Sequence, residues 1–537
     1  QPDADRGPGP DPPGHLHGTG RVAVHADGVG VDAHLAAVHG AHGAAGRARL
    51  GHRGDLGFAA RVRGEHLDHL ALDERRVDVE DDQALGAPCE SAALHGDVHR
   101  MLRSNLGEAF AEGGVGGLIS SHVPIDLRGR ILPNYAFIDD DTMIDFWTNL
   151  GEQVHKAGDG RCKYFLQISY SGRQQDNAGI ENWKSTPLSS TSQGDYFQGI
   201  RGRAMELAEI KAMVAKFVAA AIRVKKAGLD GIELHSGNGY LFTQFLSAAI
   251  NDRTDQYGGS LANRFRFLRE VIDGIRAVPD LRDMPLIVKL SGMDHHNAIF
   301  PWKQRGTPIE ESVQIANWCE ASGASAIHVS TGSMFPHPWN PAGYMPTDMA
   351  KRTYGQIVDS GSRTLLVYLG FRFFPAAVRL IWERALRRKL YRTFGDYVRG
   401  RQRPFKCAPP DQADPPAWLL VEGLNRAASR AIKQSGVSIP VLCTGAFQSS
   451  RAIEQAIQDG DCDAVTIARP LVANPALPNE MEEAFKKGQD EFYPDRPCSL
   501  CNRCLLAVLE HPFGCYDDRR YNGDYDEMIR NVMAIYR

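Results

Sequence analysis

Lysine, isoleucine, tyrosine and tryptophan are all missing from the first 104 residues of this 537-residue chain. Without them, and with few other large apolar side chains, that block cannot bury a core of its own. It holds eleven of the nineteen histidines, but at no repeated ligand spacing, which argues against a metal site. Residues 1–104 are therefore expected to be a low-complexity, disordered segment or the out-of-frame translation of a GC-rich stretch. The chain also lacks a charge excess: its net charge is -4, which argues against nucleic acid as a main partner. Ten cysteines in so long a chain are too few for a secreted disulfide framework, and a cytoplasmic location is expected. No uninterrupted apolar run approaches the roughly twenty residues of a membrane span.

From about residue 105 the sequence changes character. Short apolar runs alternate with segments of helical periodicity, which is the pattern of parallel β/α units. Strands are predicted at Leu118-Ile119, Lys163–Ile168, Gly231–Leu234, Pro285–Leu290, Ala326–Ser330, Ile439–Cys443 and Ala464–Ile467. A long helix is predicted from Glu206 to Ala227. Thr307-Pro308-Ile309-Glu310 has the spacing of a capping box that opens another. The densest stretch runs from Leu229 to Ala277. It places His235, Asn238 and Tyr240 just past a strand's C-terminal end, where a β/α barrel carries its chemistry. Leu261, Phe265, Leu268, Ile272 and Ile275 then mark one face of a helix.

His-x-x-Asn-x-Tyr at 235–240, Asn251-Asp252-Arg253-Thr254-Asp255-Gln256-Tyr257-Gly258-Gly259-Ser260, and Asn263-Arg264-x-x-Phe267 occur in that order. Together they resemble the signature of the old yellow enzyme class of FMN-dependent oxidoreductases. The resemblance implies a TIM (β/α)8 barrel over residues 105–480. The seven predicted strands align with its second to eighth, so the first is expected to be missing or replaced within the anomalous block. It also implies bound FMN, NAD(P)H as co-substrate, and transfer of hydride to an activated alkene of a small molecule such as an enone or enal. In that scheme His235 and Asn238 bind the substrate carbonyl oxygen as an oxyanion hole does, and Tyr240 is the general acid. Gln167 and Lys289 meet the flavin ring. Gly445, Ala446, Ala468 and Arg469, after the last two strands, hold the phosphate. Where the class usually shows Gly-Gly and Gly-Arg, this chain has Gly445-Ala446 and Ala468-Arg469.

Two segments lie outside the barrel pattern. Residues 334–416 form a long insertion. Its part from Leu365 to Lys406 is aromatic and apolar at first, then densely basic, and suits either a lid over the barrel mouth or contact with an anionic membrane surface. Residues 481–537 form a Cys-rich extension with Cys498, Cys501, Cys504 and Cys515 spaced as C-x2-C-x2-C-x10-C. Such spacing suits a thiolate site for an iron–sulfur cluster or zinc, or simply reduced thiols. The resemblance to the longer members of the class, of the 2,4-dienoyl-CoA reductase and trimethylamine dehydrogenase type, implies a 4Fe-4S cluster. An unclosed, inactive barrel and a membrane-associated scaffold stand as the rival readings.

Overall fold

The computed structural model describes residues 22–25, 106–131, 136–175, 186–195, 202–294, 306–330, 332, 343, 346–356, 362–382, 422–507 and 511–536. Eight strands make a closed parallel ring: β1 (Val22–His25), β2 (Gly117–Ile119), β3 (Lys163–Ser169), β4 (Gly231–Ser236), β5 (Leu286–Ser291), β6 (Ala326–Ser330), β7 (Val441–Thr444) and β8 (Ala464–Ile467). Each pairs with its sequence neighbours, and β1 closes the ring, with Ala23 opposite Gly117 on β2 and Thr466 on β8.

The first strand is therefore replaced rather than lost, and it comes from the block expected to hold no regular structure. Four residues are too few to reveal a period. What selects them is tertiary: β2 and β8 would otherwise present two open edges of unpaired backbone amides and carbonyls. The pairings also leave no unclosed barrel among the described strands. The seven strands expected from sequence are all present, with no end moved by more than two residues.

The barrel interior is layered. Ile119, Phe165, Ile287, Ala326 and Leu442 form an apolar layer of their own. Because strand side chains alternate, the residues two further along these strands face the same interior, nearer the C-terminal end. Those residues are Gln167, Lys289, His328 and Thr444. A polar layer thus sits directly above an apolar floor, and it is what positions the site.

Outside the ring, helix Leu207–Lys226 buries Ile210, Met213, Phe217, Ala220, Ala221 and Val224 at three- and four-residue steps. Its entry is a capping box between Glu206 and Glu209. The capping box expected at Thr307 does not form; helix Ile309–Ala321 starts after Pro308 with no side-chain cap. Helix Leu261–Ala277 is capped by Ser260, whose hydroxyl accepts from the Asn263 amide. Ahead of it, Asn251 donates to the carbonyls of Phe245 (2.7 Å) and Tyr257 (2.8 Å), and Arg253 pairs with Asp255. Gly258 passes so close to the Arg253 carbonyl that any side chain would collide with it. The Asn251–Ser260 run is scaffold, as its arginine, aspartate and glycine content suggests. Of the long insertion, helices Thr347–Gln356, Ser362–Phe373 and Pro375–Trp382 are described; its basic continuation, 383–406, lies outside the described residues.

Candidate active site

Three groups of side chains occupy the C-terminal end of the barrel. The first is His235, at the end of β4 before the chain leaves the ring, with Asn238 and Tyr240 just after the strand; all three are buried. The Tyr240 ring lies edge-on to His235, with centroids 4.8 Å apart. Asn238 takes a left-handed backbone (φ 56°), a conformation that asparagine tolerates better than most residues. This bend turns the chain out of β4 and into helix Leu241–Leu246, for which Tyr240 is the N-cap. Burial first, and then the Lys289 charge and the neighbouring imidazoles of His122 and His328, drive the His235 pKa well below its usual value. The ring is therefore neutral at pH 7. The Gly237 amide donates to Nδ1 (3.4 Å), which puts the imidazole proton on Nε2.

His122 joins this group, although sequence reading assigned it no role. Its ring lies 4.9 Å from Tyr240 and 6.1 Å from His235, and its Nε2 is 3.2 Å from the Gly129 carbonyl. The Ser-Ser-His that follows β2 is plain in the sequence, but nothing there places it against a tyrosine 118 positions on.

The second group is the polar layer. Gln167 Nε2 donates to Glu233 Oε1 (2.6 Å), and Glu233 Oε2 is 2.7 Å from His328 Nδ1. His328 Nε2 lies 2.7 Å from the Thr444 hydroxyl and 2.9 Å from that of Thr466. One hydrogen-bonded chain thus crosses from β3 through β4 and β6 to β7 and β8. Lys289 stands between His235 and His328 in the strand register. Burial would raise the Glu233 carboxyl, but His328, the Lys289 charge and the Gln167 amide together hold it below the usual carboxylate range. For His328, burial outweighs the Glu233 carboxylate and keeps the ring below its ordinary pKa. His328 thus bridges Glu233 at Nδ1 to the threonine pair at Nε2, and the Thr444 and Thr466 hydroxyls also hydrogen-bond to each other (2.5 Å). Glu233, His328 and the threonines were not singled out from sequence. Their signal was a charge or imidazole within an otherwise apolar strand, the same signal that drew attention to Lys289.

The third group follows β7 and β8. Gly445 packs against the backbone of Gly423 and Leu424, with no room for a side chain. Ala446 takes φ 59°, which glycine accepts far more readily than alanine. Ala446→Gly should consequently raise stability by about 1 kcal/mol, read as a higher urea midpoint at unchanged slope. Ala468 is the N-cap of the short helix Arg469–Ala473. The Arg469 guanidinium is buried and donates to Asn502 Oδ1 (2.6 Å) in the Cys-rich extension.

Arg469 and Asn502 line one small cavity with Cys498, Cys501, Cys504 and Cys515. The structure brings the four cysteines together, yet among the described residues no group of three or more His, Cys, Asp or Glu is disposed to hold a metal ion. Burial pushes the Cys498 thiol up to about 11 and raises Cys501 and Cys504 as well. Whether the four cysteines that line this cavity hold a cluster, zinc or nothing is a matter for the proposal below. A wider cleft, lined by Asp126, Arg128, Lys216 and Arg223, lies in the outer layer and touches none of the three groups.

Among the described residues, three buried polar atoms at the ends of β3 and β4 have no hydrogen-bond partner: Ser169 Oγ, Ser236 Oγ and Asn238 Oδ1. Leaving such atoms unsatisfied costs about 1–3 kcal/mol each, so this end of the barrel is built to meet a polar ligand.

A family model described as the NADH:flavin oxidoreductase / NADH oxidase family matches residues 86–354. The chain is 28% identical over 395 residues to an NADH oxidase of Thermoanaerobacter brockii, covering 73% of this chain and 46% of that protein. It is 33% identical over 264 residues to an NADPH dehydrogenase of Bacillus pumilus, covering 48% of this chain and 70% of that protein. The chain thus spans about half the length of the first of these relatives. Among solved structures, a 2-naphthoyl-CoA reductase complex superposes with a TM-score of 0.54 at 20% identity, over 79% of this chain and 52% of that one. That likeness concerns the fold.

Proposed function

The chain belongs to the NADH:flavin oxidoreductase / NADH oxidase family, and from that premise we propose that it is an FMN-dependent NAD(P)H oxidoreductase that reduces an alkene conjugated to a carbonyl group. The observation that carries this reading is the convergence of a neutral, buried His235, Asn238 and the Tyr240 ring at the mouth of one barrel.

The residues present fit a flavin. Gln167 and Lys289 would meet its ring, while the backbone amides at Gly445, Ala446 and Ala468 together with Arg469 would hold its phosphate. The unpartnered oxygens of Ser169, Ser236 and Asn238 offer further polar contacts. Glu233 engages the Gln167 amide nitrogen, which fixes the orientation of that side chain. Bound FMN would supply the hydride chemistry, accepting from reduced nicotinamide and giving to the alkene.

The protein's own part is electrostatic and proton-directed. The Nε2–H of neutral His235 and the Asn238 amide donate to the carbonyl oxygen, where negative charge grows as the alkene is reduced. A charged imidazolium would hold a proton too loosely for this task, and the burial that keeps His235 neutral also strengthens its hydrogen bond. Tyr240, fixed between two imidazole rings, delivers a proton to the carbon next to the carbonyl. One pocket serves nicotinamide and alkene in turn, so ping-pong kinetics are expected. No step is routed through the cysteine cavity. Its content of a 4Fe-4S cluster, zinc or free thiols is settled by iron, zinc and sulfide analysis of the purified protein.

The purified chain should carry a flavin absorbance that bleaches under anaerobic NADPH and returns on addition of an enone. In Tyr240→Phe, bleaching by NADPH should stay within a few-fold of normal, while reoxidation by the enone slows by about 10²-fold or more. A colourless protein unable to take up added FMN would sink the proposal. Equal loss of both half-reactions would remove Tyr240 from the proton-donor role.

A further inference from the structure

Ten large apolar side chains are exposed among the described residues, and seven of them fall between Leu365 and Ile381. Such concentration is unlike the scatter of single exposed leucines on an ordinary surface. The segment is two short helices, Leu365–Phe373 and Pro375–Trp382, meeting at 106°. Pro375 makes the corner. It disfavours helical geometry at Phe374 and is itself suited to the first turn of the second helix.

The corner is firmly mounted. Phe371 is buried against the Tyr354 ring (5.6 Å), and the Trp382 indole donates to the Gly343 carbonyl (3.1 Å). Val367, Tyr368 and Val378 pack on the core. Leu366, Phe373, Phe374 and Leu380 nevertheless stay between 61% and 67% exposed. Their exposure belongs to the outer face of a docked element, not to an element that has come loose.

We propose that this helical corner is an interfacial anchor that seats the protein on an anionic lipid surface. Three observations select that occupant. First, neither arm is long enough to span: nine residues of helix reach about 14 Å against a hydrocarbon core of about 30 Å. Among the described residues no single helix is long and apolar enough to cross a membrane. A bent pair with aromatic and leucine side chains on its outer face instead lies in the interface plane.

Second, the charge is of one sign. From Ser362 to Trp382 the chain carries Arg363, Arg372 and Arg379 and no carboxylate. From Glu383 to Lys406 it adds nine Lys and Arg residues against Glu383 and Asp396. Basic residues beside an apolar wedge match the negative potential of anionic headgroups.

Third, Arg372 sits where such a residue would snorkel. Its guanidinium is 5.6 Å from the Phe373 ring centroid and 6.0 Å from that of Tyr368, and it donates to the Tyr368 hydroxyl (2.8 Å). The anchor hangs from helix Thr347–Gln356 in the insertion after β6, whose Thr353 hydroxyl donates to the Leu506 carbonyl of the Cys-rich extension (3.0 Å).

The full-length chain tests this by flotation with vesicles of phosphatidylcholine alone and of phosphatidylcholine mixed with phosphatidylserine. The protein should float with the mixed vesicles, less so as salt is raised. The double variant Leu366→Glu/Phe374→Glu should lower the bound fraction by about tenfold or more. Its thermal midpoint should not change, because both side chains are exposed. Phe485→Glu, an exposed apolar residue elsewhere, is the control and should float normally. Failure to float with either vesicle overturns the proposal. So does equal flotation on both. If the double variant instead halves the sedimenting mass without any vesicle effect, the face meets a second copy of the chain and the lipid assignment is wrong.

Discussion

His328→Leu is expected to cost about 3–5 kcal/mol of stability, the cost of leaving one partner of a buried pair behind. Leucine has the volume to fill the space, so the loss is not a cavity effect. It arises because Glu233, fully buried, loses the donor to Oε2, while Thr444 and Thr466 lose their shared imidazole partner. Gln167 remains on Oε1 and cannot replace the missing bond. Glu233→Leu should be costly for the mirrored reason. The double variant Glu233→Leu/His328→Leu should recover a substantial part of the loss, because two apolar groups in place of a pair can be nearly neutral. Urea unfolding of the four proteins measures the coupling, expected at about 1–3 kcal/mol. Additive losses would mean that the polar layer is not a single network. The same variants should release flavin more readily, since the orientation of Gln167 depends on Glu233.

How far the sequence disclosed this molecule depended on the range of the interaction involved. β2 to β8 were legible because each is a local apolar run, and the long helices because their apolar residues recur on one face. His235, Asn238 and Tyr240 were legible because six consecutive residues place them together after a strand. The polar layer was legible only at Gln167 and Lys289; the network itself was not, since it joins residues as far apart as Gln167 and Thr466 that no local pattern links. β1 was hidden for a related reason. Val22–His25 has no pattern of its own and takes its place from the two edges it joins. The cysteine spacing foretold that Cys498, Cys501, Cys504 and Cys515 gather in one place, but spacing along a chain does not fix where sulfur atoms point. At Ala446 the sequence showed an alanine where the class usually has glycine, and the positive φ explains why glycine is the usual choice.

Stability should fall steeply as the pH drops below about 6.5, well before the carboxylates titrate. His235 and His328 are both buried, and burial is the first cause that lowers the pKa of each in the folded protein. In the unfolded chain the same two rings protonate near 6.5. Below that pH the unfolded state binds more protons than the native state, so each further unit of acidity favours unfolding. The slope approaches about 1.4 kcal/mol per pH unit for each histidine, or about 2.7 for the two together, until the native rings themselves take up protons. Glu233 acts in the same direction at lower pH. Its folded pKa is depressed, so its contribution is present above the ordinary carboxylate value of 4.5 and is lost as pH falls through the native value. Urea unfolding at pH 7.5, 6.5 and 5.5 (values taken about the imidazole range) reads the slope. His235→Gln, which keeps a polar side chain but has no proton to gain, should remove the larger share of it, because the His235 pKa lies well below its ordinary value while Glu233 opposes the shift of His328. A flat profile down to pH 5.5 (about one unit below the free imidazole value) would mean that one or both rings are already charged in the native protein. For His235 that would also withdraw the neutral donor on which the proposed carbonyl contact depends.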